Sequence, residues 1–101
     1  MENKIQFKDP WYKTDQDLSK QLKLEVADTH ILANKNVKTI ARREDNDDVL
    51  YEIIDQNKTF AIVHLTWNQS KQTDPRWPIT KLFKNIKEVQ NQINIDNQDW
   101  E

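Results

Sequence analysis

The chain contains no glycine among its 101 residues, whereas glycine makes up about 7% of an average protein. Glycine-built phosphate loops, dinucleotide-binding turns and nucleophile elbows are therefore excluded. Turns that need a positive φ must use asparagine or aspartate, which tolerate it best after glycine. Several of the ten asparagines fall where breaks are expected: Asn34, Asn36, Asn46, Asn57 and Asn68.

Between these breaks, β-branched and apolar runs predict strands. The three longer runs cover residues 36–43, 48–54 and 59–67, and residues 79–83 form a short fourth run, which would be an edge strand. The two connections between the longer runs are short, whereas parallel strands need crossovers of about a dozen residues. The sequence therefore predicts an antiparallel meander of three to four strands.

One helix is predicted before these strands in the sequence and another after them. The spacing of Leu18, Leu22 and Val26 gives one apolar stripe over residues 15–27. Asn85 begins a last helix, in which apolar side chains again recur at helical spacing. The chain has the length of one domain, so we expect a single α+β domain over residues 1–101: helix, three- to four-stranded antiparallel meander, C-terminal helix.

Composition narrows the functional classes. A net charge of -2 argues against a general nucleic-acid binder and against a polybasic membrane anchor. The absence of cysteine excludes disulfides, thiolate zinc sites and a cysteine nucleophile. The N-terminus lacks the apolar core of a signal peptide, and no run approaches the roughly 20 residues of a membrane span. We therefore expect a cytoplasmic protein without a cofactor.

The run at 59–67 has two different rows of side chains, because side chains alternate along a strand. One row is wholly apolar and is expected beneath both helices: Ala61, Val63, Leu65 and Trp67. The other is mixed and is expected on a more open face: Phe60, Ile62, His64 and Thr66. A three- or five-residue connection to the preceding strand keeps the Glu52 carboxylate off the apolar row and places it on the face of His64, avoiding the cost of an unpaired buried charge.

These faces predict one candidate catalytic set. Arg42, Glu52 and His64, with Thr66 as a further member, would combine a general base, a carboxylate that orients it and a cationic clamp. The structural interpretation is an ordinary set of cross-strand charged pairs. His30, the other histidine, lies near a helix end, and two distant histidines do not predict a metal site.

Two exposed segments predict binding instead. The link 42–48 carries four acids, Glu44, Asp45, Asp47 and Asp48, and lacks the glycine of a calcium loop. It is either a solvated hairpin tip braced by arginine or a negative patch for a basic partner. The loop 68–78 holds Arg76 and Trp77 between two prolines and starts after Trp67; these residue types often anchor interfaces, although Trp77 could equally cover the sheet edge.

The segments "TIARREDNDDVL", "AIVHLTW" and "DPRWP" resemble a family of short bacterial proteins that has no established activity. The resemblance covers roughly residues 39 to 83, and "VHLTW" and "PRWP" are its more specific parts. It implies a bacterial, single-domain, cytosolic protein and carries no catalytic residue across.

Two functions follow from these patterns. The first is a small protein-binding module, such as an immunity protein or antitoxin that neutralises a toxin by direct binding. The alternative is a small hydrolase or phosphodiesterase that uses Glu52, His64 and Arg42. The oligomeric state is left open.

Overall fold

The computed structural model describes residues 5–54, 59–67 and 77–100. In these residues the elements follow the order β1 (Trp11–Lys13), α1 (Ser19–Glu25), β2 (Val37–Arg43), β3 (Asp48–Ile53), β4 (Thr59–His64), β5 (Thr80–Phe83) and α2 (Ile86–Gln98). The strands form one sheet in the order β1-β2-β3-β4-β5, with every neighbouring pair antiparallel. The α+β class and the antiparallel meander are as predicted.

The predicted strand count of three to four is wrong, because the described sheet has five strands. The additional strand is β1, which has three residues and pairs with the end of β2, Trp11 opposite Arg43. A strand this short shows no alternating pattern that sequence could reveal. Trp11 secures it by packing into the core with 2% of its surface exposed.

The predicted register between β3 and β4 is the one observed. Five residues separate Ile53 from Thr59, and Val49 pairs with Val63. Directly paired residues share a sheet face. The apolar side chains of β3 therefore join Ala61 and Val63, while Glu52 lies on the opposite face together with His64.

The two helices cover opposite faces of the sheet, not one face as predicted. Helix α1 packs its Leu18 and Leu22 onto the face that contains Tyr51 and Val63. Helix α2 covers the other face, and its apolar residues lie in the same cluster as five buried side chains of the strands: Trp11, Ala41, Leu50, Phe60 and Phe83. The face of His64 is therefore a second core rather than an open surface, because its mixed row still supplies enough apolar area to hold a helix.

Local hydrogen bonds mark where each helix begins. Before α1 the Asp17 carboxylate accepts hydrogen bonds from the Ser19 backbone and hydroxyl, and Val26 leaves the helix with extended ψ. Helix α1 is thus shorter than the predicted 15–27. Asn85 caps α2, as predicted, by accepting from the Glu88 N–H at 3.0 Å.

None of the described helices has the length and apolar character needed to span a membrane.

We expect Tyr51→Phe to lower the free energy of unfolding by about 1 kcal/mol at neutral pH. The Tyr51 hydroxyl is buried and donates to the Leu18 carbonyl at 2.9 Å, which ties β3 to the start of α1. Chemical denaturation followed by circular dichroism measures the change. Equal stability of the two proteins would contradict the prediction.

The same variant should show a smaller decline in the free energy of unfolding as the pH rises above neutral. Burial, reinforced by the negative charges of Glu25 and Asp17, raises the pKa of Tyr51 well above its ordinary value. The unfolded chain releases this proton from about pH 10 upward, whereas the folded chain retains it, so unfolding becomes more favourable as the pH rises beyond that point. Denaturation curves recorded on both sides of pH 10 should show a smaller decline for Tyr51→Phe than for the natural chain.

Candidate functional site

The residues predicted for binding come together at one end of the sheet. The β2–β3 turn, residues 44–47, forms this end together with the last residues of β4, because His64 pairs with Asp48 and the Leu65 N–H donates to the Asp47 carbonyl at 3.2 Å. The residues that lead into β5 follow, since the His64 N–H donates to the Ile79 carbonyl. We call this region, with residues 44–48, 64–67, 77–79 and the C-terminal turns of both helices, the hairpin end.

All four tryptophans of the chain lie at or beside the hairpin end. Trp11 is buried at the start of β1, whereas Trp67, Trp77 and Trp100 expose 36%, 40% and 36% of their surfaces. Trp77 is therefore neither fully exposed nor a closed lid. The predicted binding residue Arg76 lies outside the described residues.

The four predicted acids divide into two pairs with different surroundings. Asp45 accepts two hydrogen bonds from Arg43, at 2.7 and 3.0 Å, and this contact lowers the pKa of Asp45. Asp48 contacts the His64 ring at 2.7 Å. Glu44 and Asp47 are exposed, and their side chains form no ion pair with the described part of the chain. Glu44 and Asp47 are therefore the exposed carboxylates of this turn that no described cation pairs with.

A buried carboxylate holds the end of β4 against α1. Glu25 has no exposed surface, and one of its oxygens accepts from the Thr66 N–H and hydroxyl, both at 2.8 Å. Its other oxygen accepts from the Trp67 N–H at 2.8 Å and from Gln21 at 2.7 Å. Four donors thus offset the cost of removing this charge from water. The hydroxyl of Thr66, predicted to accompany His64, is instead bonded to Glu25.

The Trp67 backbone has a φ of 62°, a left-handed conformation that is rare for a bulky side chain. Its N–H is fixed by Glu25, and the Arg42 guanidinium lies over its ring, 5.5 Å from the ring centre. Arg42 also donates to Gln16 at 3.0 Å. Contacts from α1 and β2 therefore hold Trp67 in its strained conformation, because such strain persists only where the surrounding structure fixes it.

A second carboxylate near a helix end holds α2 against the sheet. Asp96 is 8% exposed and accepts from the Trp11 indole at 2.8 Å and from Gln92 at 3.0 Å. Arg43 approaches the same carboxylate at 3.3 Å while it also binds Asp45. One arginine thus connects α2, β2 and the hairpin turn.

Glu25 and Asp96 were not predicted from the sequence, although a signal for both exists. Each acid continues an apolar stripe at helical spacing: Leu18, Leu22, Glu25 in one helix and Val89, Ile93, Asp96 in the other. A carboxylate on a buried stripe is tolerated only where it accepts hydrogen bonds from nearby donors. The sequence did not show all of these donors, because Thr66, Trp67 and Trp11 lie at least 40 positions away from the acids they contact.

The structure does not assemble the predicted catalytic set. Glu52 shares the face of His64 but pairs with Phe60, at the other end of the strands. The Asp48 that pairs with His64 is four residues from Glu52, or about 13 Å along the strand. The carboxylate that contacts His64 is Asp48, which the sequence assigned to the acidic patch.

Arg42 lies on the opposite face of the sheet because β2 contains a bulge. The register shifts between Thr39 and Ala41, so that two residues of β2 face one residue of β3. Beyond the bulge Ala41 pairs with Leu50, and Arg42 pairs with Val49 on the α1 side. The predicted alternation would have placed Arg42 beside His64.

His30 is buried and structural. Its Nδ1 accepts from the Leu32 N–H at 2.9 Å, so its Nε2 carries the proton and donates to the Pro78 carbonyl at 3.0 Å. This contact fixes the residue after Trp77 to the loop that follows α1. Within the described residues, no group of three or more His, Cys, Asp or Glu side chains is arranged to hold a metal ion.

Comparisons of the chain with models of protein families, with curated proteins and with solved structures give no match.

We expect Glu25→Gln to lower the free energy of unfolding by about 1–3 kcal/mol. The amide turns an NH₂ group toward backbone donors, which leaves the N–H of Thr66 or Trp67 buried without an acceptor. Urea denaturation measures the loss, and the Trp67 emission should shift to the red in the folded variant.

Glu44→Gln is the matched control, because it makes the same change at an exposed carboxylate of the hairpin end. Its stability should stay within about 0.5 kcal/mol of the natural chain. Glu25→Gln with natural stability would show that the four hydrogen bonds to Glu25 contribute little.

Proposed function

We propose that the chain is a small protein-binding module and that the hairpin end is its contact surface. It would act as an immunity protein or antitoxin does, by neutralising a toxin through direct binding. The observation that carries the proposal is convergence: the acidic turn and the exposed tryptophans are far apart in the sequence and lie at one end of the sheet.

The charge of this end favours a basic partner. Glu44 and Asp47 are exposed and have no cation of the described chain beside them. Helix α2 ends here, and the partial negative charge of a helix C-terminus adds to the carboxylates. A concentrated negative field raises the rate of association with a basic surface and contributes less to the final affinity.

The tryptophans supply the affinity in this proposal. Trp67 and Trp77 are partly exposed, and each is held by a buried contact on the chain beside it: Glu25 for Trp67, and His30 through Pro78 for Trp77. Anchors that are fixed before binding lose little conformational entropy when the partner docks. Tryptophan is also among the residues that most often dominate interface energies.

The test begins with a tagged chain that captures its partner from the source cells, followed by identification of that partner and kinetic measurements on the purified pair. We expect Trp77→Ala to raise the dissociation rate at least tenfold, as for a typical anchor. Asp47→Lys should instead lower the association rate several-fold at low salt, and this effect should shrink as salt is added. The captured protein should arrest growth when expressed alone and be tolerated when this chain is present.

Asp15→Lys is the matched control for charge. Asp15 is also exposed but lies near the opposite end of the sheet, between β1 and α1. It should change both rates less than twofold. The proposal fails if Asp15→Lys is as harmful as Asp47→Lys, if Trp77→Ala leaves the dissociation rate unchanged, or if the captured protein is harmless.

A further inference from the structure

A small pocket opens at the hairpin end between the sheet and α2. Its volume is about 200 Å³, below the roughly 300–1,000 Å³ of most small-molecule sites. Its apolar walls come from Trp11, Ile62 and Ile79, and its polar groups include His64 and Asp48. A pocket of this size suits one side chain of a partner better than a separate ligand.

The polar groups of the pocket present acceptors. Asp48 holds the His64 ring by Nδ1 at 2.7 Å, and because an ionised carboxylate only accepts, Nδ1 carries the proton. Whenever the ring is neutral, its Nε2 has a lone pair that accepts no hydrogen bond from the described residues. The other oxygen of Asp48, Oδ2, accepts no hydrogen bond from the described residues. The side chains of His64 and Asp48 are exposed over 47% and 21%, so a donor from solvent can reach both residues.

The cations around the pocket compensate the negative charge of Asp48 only in part. Arg43 already contacts two carboxylates, Asp45 and Asp96. Asp48 contacts the imidazole of His64, and Arg43 attracts it through space less strongly than it attracts Asp96 and Asp45. Among the described residues, Lys81 is the one further cation that lines the pocket, and its ammonium donates to Gln92 at 3.1 Å. A donor that carries positive charge on an apolar stem would match these walls and acceptors.

We propose that this pocket receives a lysine or arginine side chain of the protein partner. Its methylene groups would lie on Ile62 and Ile79, and its charged head would donate to Asp48 Oδ2 and His64 Nε2. The inference rests on the proposed function, since it assigns one anchor point on the same contact surface. Lys81 opposes the incoming charge and limits the affinity.

The test uses N-acetyl-arginine amide as the probe, followed by NMR of the two histidine rings. We expect a saturable shift of the His64 ring signals with an affinity on the order of millimolar or weaker. The His30 ring, buried and bonded at both nitrogens, should not move and serves as the internal control. N-acetyl-norleucine amide, which has an unbranched apolar side chain without a charged head, should leave both rings unchanged.

Two variants make the test specific. Asp48→Asn should weaken the probe at least fivefold, whereas Lys81→Gln should strengthen it two- to fivefold because the repelling charge is gone. An unchanged His30 spectrum verifies that each variant is folded. If Asp48→Asn fails this check, Lys81→Gln alone decides the matter.

The proposal is overturned if His64 does not respond to the arginine probe, if norleucine amide shifts it equally, or if N-acetyl-glutamate amide binds in place of the arginine probe. These outcomes are separate from those of the proposed function. The kinetic effects of Trp77→Ala and Asp47→Lys on the captured partner can persist when the arginine probe fails, and the probe can bind when no partner is captured.

Discussion

The structure depends on two carboxylates that lie where a helix disfavours them. Glu25 and Asp96 are buried in the C-terminal parts of α1 and α2, beside backbone carbonyls of partial negative charge. Each is tolerated because it collects donors from another element: Thr66 and Trp67 for Glu25, and the indole of Trp11 for Asp96. Removing a buried charge from its donors is expensive. The ends of both helices are therefore fixed to the same end of the sheet, and the position of the surface above them follows from that.

This arrangement explains why a bulky residue is found in a conformation usually left to glycine. In a chain without glycine, the positive φ angles among the described residues belong to Asn34 and Trp67. The first is the substitution expected from sequence. The second requires the Glu25 contact to the Trp67 N–H and the Arg42 guanidinium over the ring. The strained backbone at Trp67 is thus held by the buried carboxylate of Glu25, and that carboxylate in turn needs the Trp67 N–H as a hydrogen-bond donor.

The sequence predicted features set by alternation and charge, and missed features set by single irregularities. The pairing of β3 with β4 followed from keeping Glu52 away from the apolar row, and it is observed. The face on which Arg42 lies could not be predicted, because one bulge near Ile40 moves every later side chain of β2 to the other face of the sheet. No residue type near Ile40 indicates a bulge. Placing both helices on one face was also wrong, since the row with His64 contains enough apolar area for α2. For the site, the sequence supplied the acids and tryptophans separately, while only the order and direction of the strands brings them together.

The overall charge of -2 describes this surface poorly. At the hairpin end Arg43 is shared between Asp45 and Asp96, so the arginine stabilises the fold and leaves little positive potential for solvent. No cation of the described part of the chain compensates Glu44 or Asp47 in this way. Their field extends over about a Debye length, roughly 8–10 Å at physiological salt, whereas a tryptophan contributes only on contact. In the proposed encounter, charge and aromatic area would therefore act in sequence, first orienting a basic surface and then retaining it. A nearly neutral chain could do both, because the position of its charged residues matters here more than their sum.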